Sequence, residues 1–282
     1  MSNETQSSYD ASSMPIGLDN EILRLRSQAL ISWGKEARNL RWMGLGEHMS
    51  ILELGSGPGF VTEALAKLVP GGEVVALEID PVLIERAESY LGGKEGNNWR
   101  IVRGNAMSTG LPDDSFDFVY GRYLFQHLPD PAGAAKEAFR VLKPGGKLVI
   151  FDVDDALTIF DPPGGPEVRA IDERLDNARV EEQAGKGGNR LIGRRLPNLL
   201  RSAGFDNIDI EGIIIHSALV DVTTLMPKPT REGMAQLVEA GLINEQELEI
   251  LLDEVERFYA SDPVSMITTL MACGEKPTGT HG

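Results

Sequence analysis

The chain holds 282 residues with a formal net charge of −16, 41% of them hydrophobic and 25% charged, enough for one large globular domain or a domain with a cap. So acidic a surface argues against nucleic acid and anionic membranes as partners. The single cysteine, Cys273, excludes a disulfide framework and a cysteine-based zinc cluster, and no metal is expected. With no apolar run near the roughly 20 residues of a membrane-spanning helix and no basic-then-apolar leader, the expected location is cytoplasmic.

Residues 1–17 are polar and Ser-rich, a flexible tail with Tyr9 as its one aromatic. Over 18–46, Ile22, Leu23, Leu25, Leu30, Ile31, Trp33, Leu40 and Trp42 sit among charges. That spacing predicts one or two amphipathic helices, an N-terminal helical cap. Arg24 and Gln28 lie four apart there, on one helical face. Strands then alternate with helices across 47–155. A buried strand, Ile51-Leu52-Glu53-Leu54, runs into glycines at 55, 57 and 59, and a helix follows over 61–69. Next come a strand over 73–80 carrying Glu78 and Asp80 at its end, and a helix over 82–91 opened by Pro81. A short strand over 99–103 leads to Asn105 and Ala106, and a strand over 115–120 leads to an exit loop over 121–128. A helix over 131–142 and a strand over 147–153, ending in Asp152, Asp154 and Asp155, complete the run. Such alternation implies parallel pairing through right-handed crossovers.

Beyond 155 the alternation lapses. Residues 156–190, with Pro162-Pro163-Gly164-Gly165-Pro166 and a second glycine-rich stretch from Gly185, read as a cap insertion. Residues 191–220 return to the core with a helix over 191–203 and a strand over 208–219. A second helical cap insertion takes 221–263, helical from about 231 to 259, and 264–282 supplies the last strand, over 264–273, and a tail.

The glycine stretch carries the most chemistry. Glycines supply positive φ angles and a missing Cβ, which a turn needs when its backbone approaches a ligand. The spacing is Gly-x-Gly-x-Gly, whereas dinucleotide-binding turns use Gly-x-Gly-x-x-Gly, and Phe60 stands where their third glycine belongs. The stretch Ile51 to Phe60 resembles motif I of the class I S-adenosylmethionine (SAM)-dependent methyltransferases. Glu21 to Gln28 resembles an E-x-x-R-L-x-x-Q element that precedes motif I in many small-molecule members. The resemblance implies an α/β, Rossmann-like fold. Its sheet has seven strands, parallel apart from an antiparallel last one, with helices on both faces and helical cap insertions. The final two strands form an edge hairpin in that fold, and the 221–263 insertion would split it here.

The same resemblance implies SAM as cofactor and assigns contacts. The helical face of Arg24 and Gln28 would close over the methionine end, and Gly55, Ser56, Gly57 and Gly59 would form the turn that approaches the methionine and ribose part. Glu53 would accept from the methionine amino group. Glu78 would accept from the two ribose hydroxyls, with Ile79 packed on the adenine. Asn105 and Ala106 stand where the family has Asp-Ala, for the adenine edge, and the Asn oxygen still accepts without the charge. Arg122 would lie near the methionine end, although it also fits an ordinary loop arginine. His127, in Gln126-His127-Leu128-Pro129-Asp130, stands where many members place a histidine facing the substrate. A reference pKa near 6.5 suits it to general-base work; the same residue also fits a loop-organising role. Asp152 and Asp154 are further candidates, for orienting a substrate amine or hydroxyl.

Several acceptor classes can be set aside. No Asn-Pro-Pro-Tyr-type sequence follows the fourth strand, where Gly121-Arg122-Tyr123-Leu124 stands, and the lone cysteine is in the last strand. What remains is direct displacement onto an O, N or C nucleophile of a small molecule, a secondary metabolite among the candidates. Trp33, Trp42, Phe160, Met226, Met234, Phe258 and Tyr259 offer the caps an apolar pocket for it. A homo-oligomer is left open. A non-catalytic SAM-binding regulatory protein is the alternative, which a missing Glu53 or Glu78 would have favoured. An NAD(P)-dependent oxidoreductase is disfavoured by the missing third glycine and by the lack of a Tyr-x-x-x-Lys pair.

Overall fold

A computed structural model of the protein describes Tyr9 and residues 17–94, 96, 98–220 and 228–279. Met226 and the remainder of the predicted N-terminal tail lie outside the described residues. Two helices open the chain, α1 (Leu18–Ile31) and α2 (Trp33–Trp42), broken at Ser32. The alternation follows: β1 (Ser50–Leu54), α3 (Phe60–Leu68), β2 (Glu73–Glu78), α4 (Pro81–Leu91), β3 (Trp99–Arg103), β4 (Phe116–Arg122), α5 (Pro131–Val141) and β5 (Leu142–Asp161). After it come α6 (Pro166–Gly185), α7 (Leu196–Ala203), β6 (Asp206–His216), α8 (Arg231–Glu239), α9 (Glu245–Ala260) and β7 (Val264–Glu275). No helix among the described residues is long and apolar enough to cross a membrane.

The strands form one seven-stranded sheet in the order β3-β2-β1-β4-β5-β7-β6. The β2–β3, β1–β2, β1–β4 and β4–β5 pairs are parallel. Near the start of β5, Gly145 N–H donates to the Lys276 carbonyl at 2.8 Å, and Lys276 N–H returns to Gly146 O at 2.8 Å. Start meets end, so β7 runs antiparallel to β5. The expected mixed sheet is present, and its last two strands are neighbours despite the long stretch of chain between them.

Burial alternates with the strand period. Leu52, Leu54, Val75, Leu77, Leu148 and Ile150 join one core with α5 and α7 residues such as Ala138, Val141 and Leu200. Ile51, Val74, Phe118, Tyr120, Val149 and Phe151 join a second core with Leu65 of α3 and Leu40 of α2. Strands apolar on both faces are what a parallel sheet covered on both sides requires.

Several boundaries differ from the sequence expectation, and β5 runs on to Asp161, into the stretch expected as a cap insertion. The fifth strand, expected over 147–153, begins at Leu142, because Leu142 pairs with Phe116 and the Gly145-Gly146 segment bonds with Lys276 instead of ending the strand. The helix expected from 231 to 259 is two helices. Gly241, at φ 70°, follows the end of α8, and Asn244 starts α9 with a capping box to Glu247.

The chain forms two compact units. The first takes the residues up to Asp154, Lys186–Ile213 and the chain from Thr269; the second takes Asp155–Gly185 and Ile214–Thr268. The second has its own small core, in which Val168 and Ile171 of α6 meet Met234 of α8 and Leu248 and Leu251 of α9.

Within the first unit, the N-terminal helices are tied to β4 by a buried ion pair. Arg122, the last residue of β4, donates from Nε to Glu36 Oε2 at 2.7 Å and from Nη2 to Glu36 Oε1 at 2.9 Å. Its Nη2 also donates to the Gln28 carbonyl at 2.8 Å, while Tyr120 O–H donates to Glu36 Oε2 at 2.8 Å. The Glu36 side chain is wholly buried. Glu36→Ala therefore strands a buried guanidinium and should lower unfolding free energy by about 3–5 kcal/mol, read as a shifted urea midpoint. An unchanged midpoint would show that the pair does not hold these helices.

Candidate active site

A cavity of about 490 Å³ lies in the first unit, at the carboxyl ends of the central strands. Open α/β sheets bind their ligands there, and the volume falls in the range of small-molecule sites. Of the residues singled out in the sequence, Gln28, Glu53, Gly55, Ser56, Gly57 and Glu78 line it. So do Ile79, Asn105, Ala106, Arg122 and His127. Gly59 and Asp152 do not.

The glycine turn forms one wall. Gly55, Gly57 and Gly59 all have positive φ, at 65°, 57° and 84°. A Cβ built on Gly59 would lie 2.9 Å from Leu91 Cδ1, so this glycine lets α3 pack on α4; a Cβ on Gly57 would meet no protein atom within 4 Å. The two glycines thus serve packing and access respectively. Between them, the Ser56 Oγ atom is buried and has no hydrogen-bond partner among the described residues. A buried hydroxyl in that state costs free energy unless a ligand atom meets it.

Two acids hold this wall. Glu78 ends β2, and its carboxylate accepts from Gly57 N at 2.8 Å, Ile79 N at 2.8 Å and Asp80 N at 3.0 Å. Asp80 in turn caps α4, accepting from Val82 N ahead of Pro81. Burial raises the Glu78 pKa, and the three amides oppose that rise. Glu53, on the α3 side of β1, accepts from Thr62 Oγ1 at 2.6 Å. It is wholly enclosed, and burial pushes its pKa up to about 8. Asn105, after β3, also lines the cavity, and its Oδ1 accepts from Met107 N at 2.9 Å in a side-chain-closed turn. That bond takes one lone pair of the oxygen assigned to the adenine edge. Ile79 stays 44% exposed, an apolar face open to a ligand.

His127 closes a single 3₁₀ turn, Phe125–His127. Asp152 lies beneath this turn, fully buried, and accepts from Gln126 N at 3.1 Å and Val153 N at 2.9 Å. Burial pushes its pKa up to about 7. Expected to orient a substrate, Asp152 instead faces backbone amides and fixes the turn that carries His127. Asp154 is likewise committed, to Arg194 Nε at 2.6 Å. His127 is driven down to about 4 by burial first, and then by the charges of Arg190 and Arg24. It is therefore neutral at pH 7. The Tyr9 ring sits 5.3 Å from the His127 ring, and its O–H donates to the buried Glu21 at 2.5 Å. Arg24 donates to the same carboxylate through Nε at 2.7 Å and Nη2 at 2.6 Å.

The apolar pocket expected from the caps is not this cavity. Trp33 packs against the core, Trp42 is exposed, and Met234 belongs to the core of the second unit. Phe160, Phe258 and Tyr259 form a ring cluster in that unit. Three cavity-related residues went unread in the sequence: Glu36, the partner of Arg122; Glu21 as the acceptor for Tyr9; and Arg190, which lines the cavity. Glu36 and Arg122 lie far apart in the chain, and no local spacing marks their pairing.

Residues 52–150 match the family described as a methyltransferase domain. A sterol 24-C-methyltransferase of Aspergillus fumigatus is 38% identical over 112 residues, 39% of this chain and 29% of that protein. A demethylmenaquinone methyltransferase of Geobacillus sp. is 31% identical over 130 residues, 43% of this chain and 56% of that one. The chain thus spans about half or less of the curated relatives it matches. A phosphoethanolamine N-methyltransferase 2 of Haemonchus contortus, solved in complex with SAM, shares the fold with a TM-score of 0.61 at 18% identity, covering 98% of this chain and 61% of that one. The seven-stranded mixed sheet matches the Rossmann-like fold of the class I methyltransferases.

The raised Glu53 pKa has a consequence for stability. Between about pH 4.5 and 8 the folded protein holds a proton that the unfolded chain has released, so this group's contribution is full below 4.5 and is lost as pH rises through 8. Glu53→Gln should gain stability over wild type at pH 8.5 and little at pH 4.5, measured by thermal melting at both. An equal shift at the two pH values would contradict the assignment.

Proposed function

We propose that the protein is a SAM-dependent methyltransferase acting on an O, N or C nucleophile of a small molecule. The observation that carries this reading is convergence. The glycine turn, Glu78, Asn105-Ala106 and His127 come from four strand ends and face one cavity. The Haemonchus enzyme's complex with SAM and the names of the two relatives support it.

The residues present fit the cofactor: a Ser56 hydroxyl with no partner among the described residues, an open turn at Gly57 and an exposed Ile79 face. Glu78 and Ser56 would hold ribose and methionine oxygens, Ile79 and Ala106 the adenine, and Glu53 and Gln28 the methionine end. Bound there, SAM supplies an electrophilic methyl carbon for direct displacement. Burial between strand ends and N-terminal helices keeps water from competing and aligns the acceptor. His127, neutral and fixed by the turn over Asp152, takes the acceptor's proton at a ring nitrogen. Asp152 acts through that turn, as a positioning residue.

Calorimetric titration with SAM tests the binding half. Glu78→Ala and Gly57→Val should each weaken binding by about tenfold or more, whereas wild-type protein that does not bind SAM would end the reading. Tritiated SAM with pooled metabolite extracts, followed by mass measurement of the labelled product, tests transfer. Tight SAM binding without transfer to any extract would favour a non-catalytic SAM-binding protein.

With an acceptor in hand, His127→Ala should lower kcat by about 10²–10⁴-fold while leaving SAM affinity within twofold. Because the His127 pKa lies near 4, the acid limb of the pH–rate profile should fall near 4 instead of 6.5. Turnover unchanged in His127→Ala would remove it as the base.

A further inference from the structure

For a chain of net charge −16, the surroundings of His127 are unexpectedly basic. Arg24 and Arg190 line the same cavity as His127, and both act electrostatically on its ring. They arrive from opposite directions in the sequence. Arg24 projects from α1, held by two hydrogen bonds to Glu21. Arg190 follows a segment fastened to the His127 turn itself: Asn189 N–H donates to the Gln126 carbonyl at 2.7 Å. A Cβ on Gly187 would lie 3.2 Å from the Pro129 side chain, so this segment runs against the chain just past His127. The acids on the cavity wall have other engagements, Glu78 with three backbone amides and Glu53 with Thr62. Apolar surface completes the neighbourhood, from the Tyr9 ring beside His127 and from Leu124, Leu128 and Pro129.

We propose that the methyl acceptor is an anion with an apolar body, its carboxylate or phosphate seated by Arg190 and Arg24 beside His127. The inference rests on the methyltransferase reading and deepens it by naming the substrate class. A guanidinium offers several N–H donors in a planar fork that matches carboxylate and phosphate oxygens, so one engaged with protein can still bind an anion. The positions also explain why the charges surround the proposed base. Positive potential at His127 disfavours its protonation in the resting site and draws an anionic acceptor to it. Arg190 is the discriminating residue, because its attachment to the His127 turn places it on the acceptor side. Arg24 also belongs to the helix that carries Gln28, on the cofactor side.

The test uses the full chain and three probes of one shape: phenyl phosphate, benzoate and neutral benzyl alcohol. Each is titrated calorimetrically at low salt, with and without saturating S-adenosylhomocysteine. At least one anion should bind about tenfold or more tightly than the alcohol, and its affinity should fall as salt is raised. Stronger binding of phenyl phosphate or of benzoate identifies phosphate or carboxylate as the group. Arg190→Ala should abolish the preference and Arg190→Lys retain part of it, while both keep the wild-type melting temperature and bind S-adenosylhomocysteine within twofold of wild type. Equal binding of anion and alcohol would overturn the proposal. A comparable loss of S-adenosylhomocysteine affinity in Arg190→Ala would also overturn it, assigning the arginine to the cofactor. Failure of wild type to bind S-adenosylhomocysteine speaks against the methyltransferase reading, and the titrations without it still decide whether the cavity selects anions.

Discussion

Arg122 must keep its charge where water hardly reaches, and Glu36 is what allows it. Burial alone would drive the guanidinium towards the neutral state, and the Glu36 carboxylate reverses that effect. The pair costs desolvation on both sides, so its worth lies less in net stability than in geometry. A bidentate guanidinium–carboxylate contact accepts few arrangements. With the bonds from Tyr120 to Glu36 and from Arg122 to the Gln28 carbonyl, it sets α1 and α2 against the end of β4. Gln28 and Arg24 reach the cavity from that position, and so does Tyr9, whose O–H donates to Glu21 of the same helix.

A second set of constraints concerns protons. Glu53 and Asp152 are enclosed carboxyls with raised pKa values of about 8 and 7, and His127 is an enclosed imidazole with its pKa lowered to about 4. Burial is the first cause in all three and favours the neutral form each time. Around the site, neutral side chains and fixed backbone amides therefore predominate over mobile charge. The exceptions are the arginines. Glu78 is held by three amides of a turn that its own bond to Gly57 helps to shape.

Local sequence carried the core of the site. Strand one, the glycines and the acid at the end of strand two are short-range signals, because a tight turn needs glycine wherever it is used and a strand end needs no partner to be recognised. Other features were out of reach for the same reason in reverse. Arg122 reads as a loop residue until β4 is seen to continue to its end and Glu36 is seen beneath it. Asp152 reads as a catalytic acid until the turn at Gln126 is seen to occupy it. The strand beginning at Leu142 was hidden because glycines that usually stop a strand here pair with Lys276, more than 100 residues away.

By itself the sequence determined an alternating α/β chain with a glycine turn, a strand-two acid and the resemblance to SAM-dependent methyltransferases that these carry. Those properties are local: spacing, period and backbone conformation are written in neighbouring residues. Tertiary structure alone decided which titratable groups are buried, that Asp152 supports His127 rather than facing the cavity, and that Arg24 and Arg190 share that cavity with His127. Burial and long-range charge depend on which distant segments the sheet brings together, and no window of sequence contains them.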